Sequence, residues 1–139
     1  MTVSEAIGLL DSYRPNLYSE SDKVKWLSML DEIVFLEIFK THHIPDHEED
    51  EFPEYRIPSP DDPDYDQKYA DLMATTLIVP EPYAEDVYIN YLESRVDKEN
   101  AEIAKYNIDV SLFNQGYMAF ADFMNRKYRP VRKVPFIRL

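Results

Sequence analysis

Residues 79–120 contain Val79-Pro80-Glu81-Pro82-Tyr83, then Tyr88-x-x-Tyr91-Leu92-Glu93, Asp97-x-x-Asn100-x-Glu102-Ile103 and Phe113-Asn114-x-x-Tyr117-x-x-Phe120. The spacing is helical: Tyr88, Leu92, Val96 and Ile103 recur at intervals that put them on one face of an α-helix, with Asn90, Glu93 and Asp97 opposite. Pro80 and Pro82 suit the entry to such a helix, because its first turn needs no amide donor. The pattern predicts a helix over 82–105. Tyr106-Asn107-Ile108-Asp109 then supplies a turn and a capping residue, and Phe113, Tyr117, Phe120, Ala121 and Met124 predict another helix over 109–127. Two long helices with a short connection run antiparallel, so this half of the chain should be a helical hairpin.

Upstream, Thr2-x-x-Glu5 has capping-box spacing and Pro15 cannot continue a helix, which predicts a helix over 3–13 with Val3, Ile7 and Leu10 inward. Ser19 can cap a helix over 20–41, with Glu20 and Asp22 at the positive end of its dipole. Leu27, Leu30, Val34 and Ile38 form one apolar stripe of that helix, and Trp26, Met29, Ile33 and Leu36 form a second on the adjoining flank. So wide an apolar surface predicts a central helix covered on two sides, with the C-terminal hairpin packed on it. Gly8 and Gly116, the two glycines, both fall within helical patterns, where glycine costs about 1 kcal/mol relative to alanine; close helix approach is the expected compensation.

The connection over 42–79 differs in kind. Prolines at 45, 53, 58, 60 and 63 break any helix, and a dense set of acids, including Glu48, Glu49, Asp61, Asp62, Asp64 and Asp66, keeps it solvated. The sequence leaves room for a short helical turn over Tyr65–Met73 and for a small β-hairpin between Glu54–Ile57 and Thr75–Val79. At the other end, Pro130 and Pro135 make 128–139 an extended tail. The expected fold is a single, mainly α domain of four helices over 1–139, with a long acidic loop and a basic tail.

Composition narrows the function classes. The chain lacks cysteine, which removes disulfides, thiolate catalysis and cysteine-ligated metals together. Met1 to Leu10 carries Glu5 and lacks both a basic start and a long apolar run, so neither an export signal nor a membrane helix is expected. A net charge of −12 argues against sequence-specific binding of nucleic acid, since each phosphate contact is favourable through a cation. The charge is uneven, however. Arg126, Lys127, Arg129, Arg132, Lys133 and Arg138 give the last 14 residues +6 without an acid, which leaves −18 on the first 125. An acidic body with a basic tail suits attraction between copies or between different proteins.

Catalytic and metal-binding patterns fail on inspection. Asp62, Asp64 and Asp66 copy the first ligand spacings of a calcium loop, but Gln67 stands at the turn-glycine position and Met73 at the bidentate glutamate. His42, His43 and His47 lack a His-Glu-x-x-His pattern, and His42 and His43 suit the negative end of a helix instead. There is no Gly-rich phosphate loop or Gly-x-Ser-x-Gly elbow. No metal, cofactor or enzymatic activity is expected. Eleven tyrosines and seven phenylalanines exceed what a core of this size hides, and tyrosine suits a surface buried only on assembly.

The aromatic words above, with Asn125-Arg126 closing the run and Pro15-Asn16-x-Tyr18-Ser19 ahead of Trp26-Leu27-x-x-Leu30-Asp31, resemble the head-to-tail connector family of long-tailed phages and prophages of Gram-positive bacteria. The likeness spans most of the chain as many weak words. It departs from the family's pattern at Ala101-Glu102, where Gly-Glu is usual, at Asn107-Ile108, where Asn-Asn is usual, and at Tyr128-Arg129-Pro130 in place of His-x-Pro. The resemblance implies an all-helical neck or head-completion adaptor, located in the virion and in the host cytoplasm during assembly. It would join portal to neck or tail proteins as a ring, and is compatible with a monomer in isolation. The expected interaction residues are Arg126, Lys127, Arg129, Arg132, Lys133, Phe136 and Ile137 of the tail and Asp61, Asp62 and Asp64 of the acidic loop. The alternative is an acidic adaptor or regulator that binds one cellular or phage protein.

Overall fold

A computed structural model describes residues 1–47 and 50–131. Thr2 caps α1 (Val3–Tyr13), its hydroxyl accepting from the Glu5 amide at 3.1 Å, and Val3, Ala6, Ile7 and Leu10 face the core. Ser19 caps α2 (Glu20–Val34) through the Asp22 amide at 3.1 Å. The helix then widens into a π-helical segment, Phe35–Phe39, and stops near Lys40. After the acidic connection come α3 (Tyr65–Met73), α4 (Ala84–Glu99) and α5 (Ile103–Lys127). The chain is therefore mainly α, with five α-helices among the described residues where the sequence predicted four.

α1, α2 and α4 pack on one another, and Leu10, Leu27, Leu30, Val87, Tyr88 and Leu92 fill the space between them. α5 lies along α4. Ring contacts pair Tyr83 with Phe123 and Tyr91 with Phe113, so the two helices run in opposite directions. At the crossing, a Cβ on Gly116 would stand 3.0 Å from Asp86 Cβ, so the missing side chain is what lets the backbones approach. Gly8 differs: it is exposed and has open space where its Cβ would be, so close approach does not account for it.

The junction between α4 and α5 lies at Asn100–Glu102, earlier than the predicted turn at 106–109. The Glu102 amide donates to Asp97 O at 2.9 Å and the Ala101 amide to Lys98 O at 3.1 Å, the paired bonds of a Schellman helix stop. Ala101 takes the left-handed position, at φ 58°, that glycine usually fills. Tyr106, Asn107 and Ile108 consequently belong to α5, and Asp109 is a buried helical residue rather than a cap. Asp97, expected on the outer face of α4, is wholly buried, while Ile103, expected in the core, is exposed.

The small β-hairpin for which the sequence leaves room does not form. The Tyr55 amide donates to Ser28 Oγ at 3.0 Å, which turns 54–57 onto α2. Residues 75–77 pair instead with the N-terminus, through Val3 N to Thr75 O at 3.0 Å and Leu77 N to Met1 O at 2.9 Å. These contacts make one isolated bridge, Thr2 with Thr76, and among the described residues the other bridge is His42 with Pro130.

One buried carboxylate ties the acidic connection to the helices. Asp31 accepts from Tyr55 Oη and from Tyr88 Oη, each at 2.6 Å, and from the Ile78 amide at 3.3 Å. Tyr88 Oη in turn accepts from the Val79 amide at 2.8 Å. Burial pushes the Asp31 carboxyl up, and the tyrosine and amide donors offset part of that rise.

Candidate protein-interaction surface

The second apolar flank of α2 is where expectation and structure part most. Trp26 is buried, with the Arg95 guanidinium stacked 5.5 Å from its ring, but Met29, Ile33 and Leu36 are 41, 46 and 57 % exposed. The helix is covered on one side, and the other meets water. Met29 sits at the boundary of two surface recesses. One, of about 340 Å³, lies between α2 and the 54–57 segment and includes Val24, Tyr55 and Ile57. The other, of about 320 Å³, lies toward α4 and includes Tyr18, Trp26 and Arg95. An apolar helix face flanked by recesses has the shape that a partner's side chains fill.

α5 offers a second face. Of its 25 residues only Asp109, Phe120 and Met124 are buried, because the helix packs chiefly on α4. Ile108, Leu112 and Met118 are exposed. Phe113 and Tyr117 are partly buried against the core, and Tyr117 Oη donates to Glu37 at 2.8 Å, linking α5 to the end of α2. Burial of the ring, and then that bond, push the Tyr117 hydroxyl well above its ordinary range, so it stays a donor.

The expected interaction residues do not converge on one spot. Arg126 and Lys127 occupy the exposed last turn of α5, where they complement the helix dipole, and the Lys127 ammonium lies 5.4 Å from the Phe123 ring and 5.2 Å from that of Tyr128. Arg129 is exposed, but its carbonyl accepts from the His43 amide at 2.8 Å, and the Val131 amide donates to Thr41 O at 2.7 Å. The tail thus begins by returning to the end of α2. Arg132, Lys133, Phe136 and Ile137 lie outside the described residues, as do Glu48 and Glu49 of the loop.

In the loop, Asp61 and Asp64 are exposed, whereas Asp62 accepts from the Asp64 amide at 2.8 Å and from Lys68 Nζ at 2.6 Å. The lysine hydrogen bond holds the Asp62 carboxyl below its ordinary value. This local turn prepares α3 and turns the carboxylate inward on its own segment. His42 is buried, its Nδ1 2.6 Å from Ile38 O at the end of α2 and its Nε2 2.7 Å from the side-chain oxygen Oδ1 of Asn125 on α5. Among the described residues no group of three or more His, Cys, Asp or Glu side chains is placed to hold a metal ion, and no helix is long and apolar enough to cross a membrane. Comparison with protein-family models, with curated proteins and with solved structures finds no match for the chain.

Proposed function

We propose that this chain is a structural virion protein: a head-to-tail connector that joins the portal to later neck or tail components of a long-tailed phage, as one copy in a ring. Its role in this reading is mechanical and needs no active site. The observation that carries it is the uncovered stripe of Met29, Ile33 and Leu36 on a helix whose opposite side is core. Covering such a stripe is favourable by about 25 cal/mol per Å² of apolar surface, and a subunit boundary supplies the cover. Ile108, Leu112 and Met118 on α5 provide a different apolar face. Two unlike faces permit head-to-tail association, which closes into a ring when the rotation allows. The antiparallel α4–α5 hairpin then forms part of the ring wall, and the basic tail reaches an acidic neighbour.

Replacing Ile33 with Glu and Leu36 with Lys in the phage or prophage genome tests this reading. Both side chains are exposed, so the change in stability should stay within about 0.5 kcal/mol. Electron microscopy of the lysate should show DNA-filled heads and separate tails. Normal tailed particles carrying the doubly substituted protein would overturn the reading, as would a genomic neighbourhood without portal and capsid genes.

A further inference from the structure

Arg14, just past α1, reaches the α4–α5 junction and meets a set of carboxylates: it hydrogen-bonds Asp97, and its Nη2 lies 3.3 Å from Glu93 and 3.9 Å from Asp109. Asp97 is fully buried and Asp109 is 4 % exposed, one on α4 and the other on α5. A single guanidinium leaves two units of surplus negative charge if all three acids ionise, and burial makes that surplus unfavourable. Asp97 Oδ2 and Asp109 Oδ2 each lack a hydrogen-bond partner, so the buried pair has acceptors without a donor. Of the surrounding charges, Glu102 in the turn pairs with Lys105 at 3.5 Å, and Lys98 on the last turn of α4 is exposed. One proton placed between the two aspartates supplies the missing donor and removes one unit of charge.

We propose that Asp97 and Asp109 share one proton, and that this proton fastens the first turns of α5 to the end of α4, so that its loss to solvent loosens the junction. Burial, then the hydrogen bond and charge of Asp97, push Asp109 up to about 7. Burial acts on Asp97 in the same sense, but hydrogen bonds with Asp109 and Arg14 outweigh it and hold that carboxyl below its ordinary value. The two groups therefore act in opposite directions. Asp109 contributes stability that is complete below the ordinary carboxylate range and is lost as pH rises through about 7. Asp97 contributes stability that is present above that range and is lost in acid. The junction is tightest in mildly acidic solution. Its weak point is the Asn100–Glu102 stop, where Ala101 is held at positive φ beside a recess of about 300 Å³ that includes Ile103 and Tyr106.

Carbon-13 titration of the side-chain carboxyls, together with amide hydrogen exchange between about pH 6 and pH 8.5 corrected for intrinsic rates, reads this directly. One carboxyl of the pair should titrate near neutrality, and protection of the 103–109 amides should fall on the order of tenfold across that interval. Asp109→Asn, whose amide donates to Asp97 at every pH, should remove the pH dependence of protection. Both carboxyls titrating below about pH 5 would overturn the proposal. Unchanged protection in the native chain would overturn it equally, and so would the same loss in a folded Asp109→Asn protein. If that variant does not fold, the titration and exchange of the native chain decide alone.

Discussion

Asp31 was the least legible residue of the core, because the sequence marks it only as an acid at core spacing between Leu27 and Val34. Its function depends on partners 24 and 57 residues away, Tyr55 and Tyr88, and no local pattern encodes so distant a hydrogen bond. Tyr88→Phe removes the donor to Asp31 and leaves the Val79 amide without its acceptor, so it should cost about 1–3 kcal/mol in urea unfolding. Asp31 has a raised carboxyl pKa, so its contribution fades as pH rises through the folded value; the Tyr88→Phe deficit should widen over the same rise, as the carboxylate ionises with a donor fewer. Tyr55→Phe in the same background should be non-additive, since both hydroxyls serve one carboxylate. Three backbone substitutions have predictable signs. Gly8→Ala should stabilise by about 0.5–1 kcal/mol, because open space surrounds an exposed helical position. Gly116→Ala should destabilise, because the added carbon meets Asp86, and Ala101→Gly should gain about 0.5–1 kcal/mol by relieving the left-handed turn. Thermal melts of the three proteins with these signs reversed would show that packing, not backbone geometry, governs those sites.

The helices themselves were readable wherever a cap and a period coincided. Thr2 and Ser19 start α1 and α2 as their hydroxyls predict, and the apolar rows Val3, Ile7, Leu10 and Leu27, Leu30, Val34, Ile38 are buried. The α4–α5 junction is hidden in the sequence for a definite reason. A helix stop of this form ordinarily announces itself with glycine, and here alanine occupies the position, while Asn107 and Asp109 imitate turn chemistry further on. Periodicity also cannot tell a covered face from an uncovered one, so Met29, Ile33 and Leu36 looked like core and proved to be surface. Leu92 on α4 and Phe120 on α5 are both fully buried in the core. Alanine at either position should cost about 2–5 kcal/mol in denaturant unfolding, the range for deleting a well-packed large side chain. A loss below about 0.5 kcal/mol at both would mean that the core does not run through this pair.

Across the whole molecule, charge and apolarity are distributed so that the chain's two ends behave differently. The N-terminus is part of the core: Met1 O accepts from the Leu77 amide, and Val3 is buried. The C-terminal segment leaves α5 at Tyr128 and touches the end of α2 through the Arg129 and Val131 main chain, and the sequence beyond carries Arg132, Lys133, Val134, Phe136, Ile137 and Arg138. The connector reading assigns those residues to a neighbour, where the apolar side chains would be covered and the cations would meet acids. Truncation after Val131 keeps the hydrogen bonds to Thr41 and His43, and so separates that role from the tail's contribution to its own fold. The melting temperature of the protein lacking 132–139 should be nearly unchanged, while its incorporation into virions is lost and DNA-filled heads fail to join tails. A large fall in melting temperature would instead assign the segment to the chain's own acidic body, and normal particles built with the truncated protein would remove it from assembly. Truncation after Tyr128 also cuts the two main-chain bonds, so it should destabilise relative to the protein lacking only 132–139 by about 1–3 kcal/mol.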